Sequence, residues 1–209
     1  MRSPILPVLL ALSLGAALTS CAGKEQPRKL PAESLQPASP LAGVNWVDSV
    51  SRWEPHVDEF GSAVDTAAGF ARDGRLRVHF TLARRATELW PFIELIFNSP
   101  ASLEGVYGVK LTYKCDQPLI VKIGQTDFGP KPEGNETYSL YQNMAPTSKE
   151  WSTIKLRFAD FVFPQWVPDV SKDIPLDLTK SRRLYFTPGL DATYGGNTLL
   201  EIRELEFLQ

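Results

Sequence analysis

Apolar and polar residues alternate with a period of two over much of this chain. Leu76, Val78, Phe80 and Leu82 alternate with Arg77, His79 and Thr81, which predicts a strand with one apolar and one polar face. Ile93, Leu95 and Phe97 repeat the pattern after Trp90-Pro91, with Phe92, Glu94 and Ile96 facing the other way. Val109, Leu111 and Tyr113 alternate with Lys110, Thr112 and Lys114. Asp116-Gln117-Pro118 then gives a turn signal and Leu119 to Ile123 returns, so the two runs are expected to form a hairpin. Further strands are predicted at Tyr138 to Met144, Trp151 to Phe158, Arg183 to Thr187 and Leu199 to Leu208. No window of ~11 residues carries a sustained helical stripe with caps, a weak one near Val47 to Phe60 aside. About eight or nine short strands predict an all-β fold, an antiparallel β-sandwich or jelly roll. No repeat of fixed period points to a propeller or solenoid.

Composition supports this picture and narrows the chemistry. The 209 residues include 17 Pro and 14 Gly, frequent turn punctuation that suits short strands better than long helices. The 22 Lys and Arg nearly balance 24 Asp and Glu, leaving a net charge of −2. Without a basic block the chain attracts a polyanion weakly, which argues against a nucleic-acid partner. Two Cys and two His are too few for a structural zinc site, and no cofactor motif is present.

The N-terminus carries an address. Arg2 precedes an apolar run from Ile5 to Leu18 that is shorter than the ~20 residues a membrane-spanning helix needs. It ends in Leu18-Thr19-Ser20-Cys21, which resembles the bacterial lipobox at all four positions. The resemblance implies a signal peptide over residues 1–20, lipidation of Cys21 and a membrane contact through acyl chains. With Ala22 and Gly23 next and no Asp, it implies a cell-envelope lipoprotein sorted to the outer membrane. Residues 21–43, with Pro27, Pro31, Pro37 and Pro40, are expected to be an extended tether, and residues 44–209 a single folded domain. Once Cys21 is modified, Cys115 has no intrachain partner and is expected to be a small buried hydrophobe.

Several short segments, in order, resemble the galactose-binding-like jelly rolls of bacterial carbohydrate-binding modules. They include Trp53-Glu54-Pro55 with Asp58 and Gly61-Ser62, the run Leu103 to Val109 leading into Leu111 to Asp116, and Ile154 to Phe161 with Pro164-Gln165-Trp166. Leu176-Asp177-Leu178, Leu184 to Gly189 and the terminal Leu199 to Phe207 complete the series. A related domain occurs in assembly factors of respiratory complex I, so the resemblance implies either a glycan or a protein partner. Where such modules commonly end in an Asp pair this chain has Arg203 and Glu204, which departs from a structural calcium site.

Sugars are held by aromatic rings stacking on their apolar faces while polar groups bind the hydroxyls. Trp90, Tyr107, Tyr141, Trp166 and Tyr194 lie beside Pro, Gly or polar residues and are the candidate stacking rings; Trp46, Trp53 and Trp151 are assigned to the core. Arg77, His79, Lys110, Lys122 and Gln125 are expected to line one polar sheet face, with Arg77 and Gln125 as ligand contacts, although a merely solvated face suits the same residues. Neither His56 nor His79 belongs to a nucleophile or metal-hydrolase motif, so no enzyme activity is expected. The pairs Asp58 with Glu59 and Glu201 with Glu204 do not converge by strand spacing. The expected function is non-catalytic binding of a polysaccharide by a lipid-anchored protein, the alternative being a structural or assembly lipoprotein that grips another protein.

Overall fold

Strand after strand is amphipathic because each sheet turns one face to a shared apolar layer. A computed structural model describes residues 40–66, 71–86, 90–125, 140–166, 169 and 175–209. The strands are β1 (Trp53–Val57), β2 (Ala63–Asp65), β3 (Ala71–Arg72), β4 (Arg75–Leu82), β5 (Ile93–Asn98) and β6 (Gly108–Cys115). Then come β7 (Leu119–Gln125), β8 (Leu140–Ala145), β9 (Ser148–Arg157), β10 (Ser181–Pro188) and β11 (Gly196–Leu208). A five-stranded sheet runs β1-β5-β10-β7-β8, and a six-stranded sheet includes the path β2-β4-β11-β6-β9 with β3 paired to β4. All the strand pairs within them are antiparallel. The architecture is the antiparallel β-sandwich the alternation predicts.

The core is built from the inward positions of both sheets. Leu76, Val78 and Phe80 of β4, Leu111 and Tyr113 of β6 and Leu200 and Ile202 of β11 are fully buried, as are Leu95 and Phe97 of β5, Val121 and Ile123 of β7 and Phe186 of β10. Trp53 packs at 5.0 Å from the Phe97 ring and 5.4 Å from the Phe186 ring, and Trp46 at 5.8 Å from Phe97. Trp46 and Trp53 are therefore core residues, as expected. Trp151 is not: it is half-buried, with Lys114 Nζ 5.0 Å and the Arg203 guanidinium 4.7 Å from its ring centroid. Cys115 is buried beside the Thr198 hydroxyl, and burial pushes its thiol pKa up, which keeps it an inert thiol.

Several expectations are corrected. Asp116-Gln117-Pro118 does not close a hairpin, because β6 belongs to the six-stranded sheet and β7 to the five-stranded one. The turn is a corner between sheets, tied to β11 by the Thr198 hydroxyl donating to the Asp116 carboxylate. The weak helical stripe near Val47 to Phe60 is two 3-10 turns, Trp46–Asp48 and Val50–Arg52, followed by β1. Leu41 is fully buried and Ala42 bridges to Phe207, so the packed unit takes in residues just before Val44. The Tyr138 to Met144 prediction is met by β8 from Leu140 onward, and Tyr138 lies outside the described residues. The expected signal peptide, Cys21 and the expected tether up to residue 39 also lie outside them.

A bulge in β11 changes which acids share a face. Pairing with β6 shifts between Ile202 and Glu204, so Ile202 and Leu205 both point inward. Glu201 and Glu204 consequently share the outer face, contrary to simple strand parity. Each is matched by a cation: Arg75 lies 3.2 Å from Glu201, and Lys110 lies 2.6 Å from Glu204. Asn45 satisfies the bulged backbone, donating to Arg203 O at 3.0 Å and accepting from Leu205 N at 3.1 Å.

Candidate functional site

The two outer faces of the sandwich differ in character. On the six-stranded sheet the outward residues of β4, Arg77, His79 and Thr81, are exposed. Beside them Lys110, Glu204, Glu206, Thr112 and Thr153 form a ladder of cross-strand contacts of 2.6–3.4 Å. Lys110 raises its pKa and Glu204 lowers its own chiefly through the hydrogen bond they share. This is a polar face on which Lys110 is paired with Glu204 and Glu206, and Arg75 with Glu201.

The outer face of the five-stranded sheet is shielded instead. Register places Glu54, Ile96, Tyr185, Lys122 and Gln142 in one row across β1, β5, β10, β7 and β8. A neighbouring row carries His56 opposite Glu94, and Thr187 opposite Ile120, which faces Met144. Position 94 alternates with the core residues Ile93 and Leu95, so the Glu94 carboxylate points away from the core, yet Glu94 is only 9% exposed. Lys122, equally outward, is 8% exposed. Lys122 reaches across β10 to pair with Oε1 of Glu94, while Nδ1 of His56 lies 3.1 Å from Oε2. The carboxylate is thus held from both sides and keeps lone pairs for further donors.

Tyr185 supplies the aromatic surface of this face. A Cβ placed at Gly124 would lie 2.8 Å from Cε2 of Tyr185, so the ring rests directly on the bare glycine backbone. Burial raises the phenol pKa, which keeps its hydroxyl protonated and able to donate. The Phe92 ring sits 4.9 Å from His56 and extends the aromatic surface to the edge. The Thr187 hydroxyl oxygen is buried and has no hydrogen-bond partner among the described residues. On the β8 side, Val162 and Gln142 exchange backbone hydrogen bonds of 2.7 and 2.8 Å, adding a rung on which Val162 and Met144 are exposed.

The sequence-predicted ligand residues do not assemble into one surface. By register, the strand ends at Leu82, Ile93 and Pro188 lie at one end of the sandwich, together with the loops carrying Trp90 and Tyr194. Tyr107, just before Gly108, lies at the other end, where its carbonyl accepts from Phe158 N at 2.9 Å. Trp166 is exposed in the β9–β10 connection, and Tyr141 is partly buried on β8 with its ring 4.3 Å from Phe163. Arg77 lies on the six-stranded face, away from Lys122. Gln125 is 4% exposed; its Nε2 donates to Pro175 O at 3.3 Å and its Oε1 accepts from Asp177 N. Gln125 therefore anchors the chain at Pro175–Asp177 rather than facing a ligand. The expected set Arg77, His79, Lys110, Lys122 and Gln125 is split between opposite sheets and the interior. Glu94, Tyr185, Thr187 and His56 were missed; their signal was a charged residue and a tyrosine at alternating positions of runs otherwise read for their core parity.

Among the described residues no group of three or more His, Cys, Asp and Glu is placed to hold a metal ion. Neither a protein-family model nor a curated protein matches the chain. Solved structures do. The chain is similar to the family 11 carbohydrate-binding module from Clostridium thermocellum in complex with a β-1,3-1,4-mixed-linked tetrasaccharide. The TM-score is 0.56 at 15% identity, over 79% of this chain and 93% of that one. A family 11 module of a cellulosomal cellulase of the same organism gives 0.56 at 15%, over 79% and 92%. At this identity the likeness establishes a shared β-sandwich fold.

Proposed function

We propose that the outer face of the five-stranded sheet binds a glycan without cleaving it. The observation that carries the proposal is the Glu94 carboxylate, directed away from the core yet nearly closed to solvent between Lys122 and His56. Burying such charges on a face that packs no core is costly unless they are satisfied, and their fixed geometry preorganises acceptors and donors for hydroxyl groups. Tyr185 on Gly124 supplies a ring for the apolar face of a sugar, and the buried Thr187 hydroxyl beside it has no hydrogen-bond partner among the described residues. The similar family 11 module is described in complex with a mixed-linked tetrasaccharide, which supports the same ligand class here. Affinity electrophoresis of the full chain through β-1,3-1,4-glucan, cellulose derivatives and galactans, with product analysis alongside, tests this. Retardation lost in Tyr185→Ala, with no reducing sugar released, is expected; no retardation by any glycan would overturn it.

The proposal extends to location. The lipobox match supports lipidation of Cys21 and placement of the domain at the bacterial cell envelope, outer-membrane side. Mass spectrometry of the native protein is expected to show a diacylated N-terminal Cys21, and a free thiol there would refute it. Exposed Met144 and Val162, beside the same face, favour a second reading in which the occupant is another protein. That reading is preferred if glycans fail and a partner protects Met144 from oxidation.

A further inference from the structure

The chain has two histidines: His79 stands on the six-stranded face, and His56 on β1, the edge strand of the five-stranded sheet. The His56 side chain is 54% exposed, with its ring 4.9 Å from Phe92 and Nδ1 3.1 Å from Oε2 of Glu94. Lys122 holds the other oxygen of that carboxylate, so the acceptor is fixed in place. A carboxylate oxygen only accepts, and Nδ1 therefore carries a proton whether the imidazole is neutral or charged. The proton that comes and goes is the one on Nε2, which has no hydrogen-bond partner among the described residues. The other ionisable side chains of outward parity are Glu54 and Asp58 on the His56 segment, Glu94 on β5, Lys122 on β7, and Arg183 and Tyr185 on β10; β8 carries no charge. Asp58 is taken up by the N–H groups of Phe60 at 2.6 Å and Phe92 at 2.7 Å, and Arg183 hydrogen-bonds the Tyr185 phenol. Of the side-chain types on this face, only imidazole ordinarily titrates between about pH 5 and 8.

Resting on the glycan reading of this face, we infer that His56 is a ligand contact whose polarity is set by protonation, so that the face holds glycan more tightly in mild acid. With the ring neutral, Nε2 offers a lone pair to a sugar hydroxyl; with the ring charged, Nε2 donates and the bond gains the charge. A hydroxyl both donates and accepts, so the same sugar is held in either state and only the strength changes. The charge-assisted bond is the stronger by an amount worth about fivefold in affinity. The added charge faces Glu94, with Lys122 on the other oxygen of that carboxylate and Arg183 two register rows away, so it meets an anion first. The coupling is reciprocal: bound glycan keeps the proton on His56 to higher pH.

The test is isothermal titration of the full chain with the β-1,3-1,4-mixed-linked tetrasaccharide at about pH 5.5 and about pH 8, either side of the imidazole range. Wild-type affinity is expected to be about fivefold higher at the lower pH. His56→Gln replaces the ring by an amide that donates and accepts but does not titrate, at an exposed position. It is expected to bind equally at both pH values, no more tightly than the wild type at the higher one. The ring signals of both histidines are followed by NMR over the same range, with and without the sugar. His56 is expected to keep its proton to higher pH when the sugar is bound, and His79, on the opposite face, to titrate the same way in both samples. Equal wild-type affinity at the two pH values, or a pH dependence that survives in His56→Gln, would overturn the inference and leave the glycan reading of the face standing. No wild-type binding at either pH would overturn that reading, and the inference with it.

Discussion

Gly124→Ala places one methyl group under the Tyr185 ring and tests whether that ring is a binding surface. The new Cβ would meet Cε2 at 2.8 Å, the hydroxyl oxygen at 3.0 Å and Cζ at 3.3 Å. Ordinary carbon contacts lie near ~3.5 to 4 Å, so the ring must lift by ~1 Å. Overpacking costs on the order of 1 kcal/mol where the neighbour is a side-chain end that can swing. Lower chain entropy in the unfolded state offsets ~0.4 to 1 kcal/mol of that, because Gly124 has no positive φ to forbid alanine. Stability by urea unfolding is therefore expected to move by less than ~1 kcal/mol. Binding responds more. If the ring contributes ~2 kcal/mol as a central aromatic contact, lifting it by ~1 Å forfeits up to about half, a roughly fivefold loss of glycan affinity. Tyr185→Ala loses the whole contact, roughly thirtyfold. Isothermal titration with the glycan that retards the wild type most strongly gives both numbers. Undiminished affinity in both variants would refute the placement of the site; undiminished affinity in Gly124→Ala alone would refute the stacking geometry.

Phe97→Ala removes a ring that contacts Trp46, Trp53 and Phe207 across the two sheets, and a loss of ~3 to 5 kcal/mol is expected in urea unfolding. Asn45→Ala strips two hydrogen bonds from the β11 bulge and is expected to cost ~1 to 2 kcal/mol by the same measurement. Burial alone would raise the Asp58 pKa, but hydrogen bonds from the Ser62 hydroxyl and from the N–H groups of Phe60, Phe92 and Ser62 outweigh it and hold the group below its ordinary value. Its stabilisation is complete above the unfolded pKa of ~3.9 and is lost as pH falls through the lower folded value, so Asp58→Asn is expected to flatten the acid limb of thermal stability below about pH 4.

The sheets were legible where one face meets water. β4 alternates without a break because Arg77, His79 and Thr81 are solvated, and Lys110 and Lys114 of β6 keep partial contact with water. β5 shows why the site was not legible: Glu94 and Ile96 are nearly as closed as their core neighbours, so alternation of burial vanishes on the shielded face. The corner at Asp116–Pro118 carries the same turn residues as a hairpin, and the choice of sheet is made by distant partners, β10 for β7 and β11 for β6. Gln125 shares parity with Val121 and Ile123, so alternation itself points it inward, which the outward assignment overlooked. Pro55 and two polar neighbours hid β1, which is a sheet edge where Pro is tolerated. Glu94 and Lys122 come together across an intervening strand, a proximity that sequence spacing does not encode.

The central claim is that a glycan occupies the five-stranded face. Backbone and side-chain chemical-shift mapping of the isotope-labelled full chain, titrated with the β-1,3-1,4-mixed-linked tetrasaccharide, tests it most directly. Saturable changes centred on His56, Glu94, Lys122, Gln142 and Tyr185 are predicted, with Arg77, Lys110 and Thr112 unmoved. Changes confined to the six-stranded face, or none at saturating sugar, would contradict it.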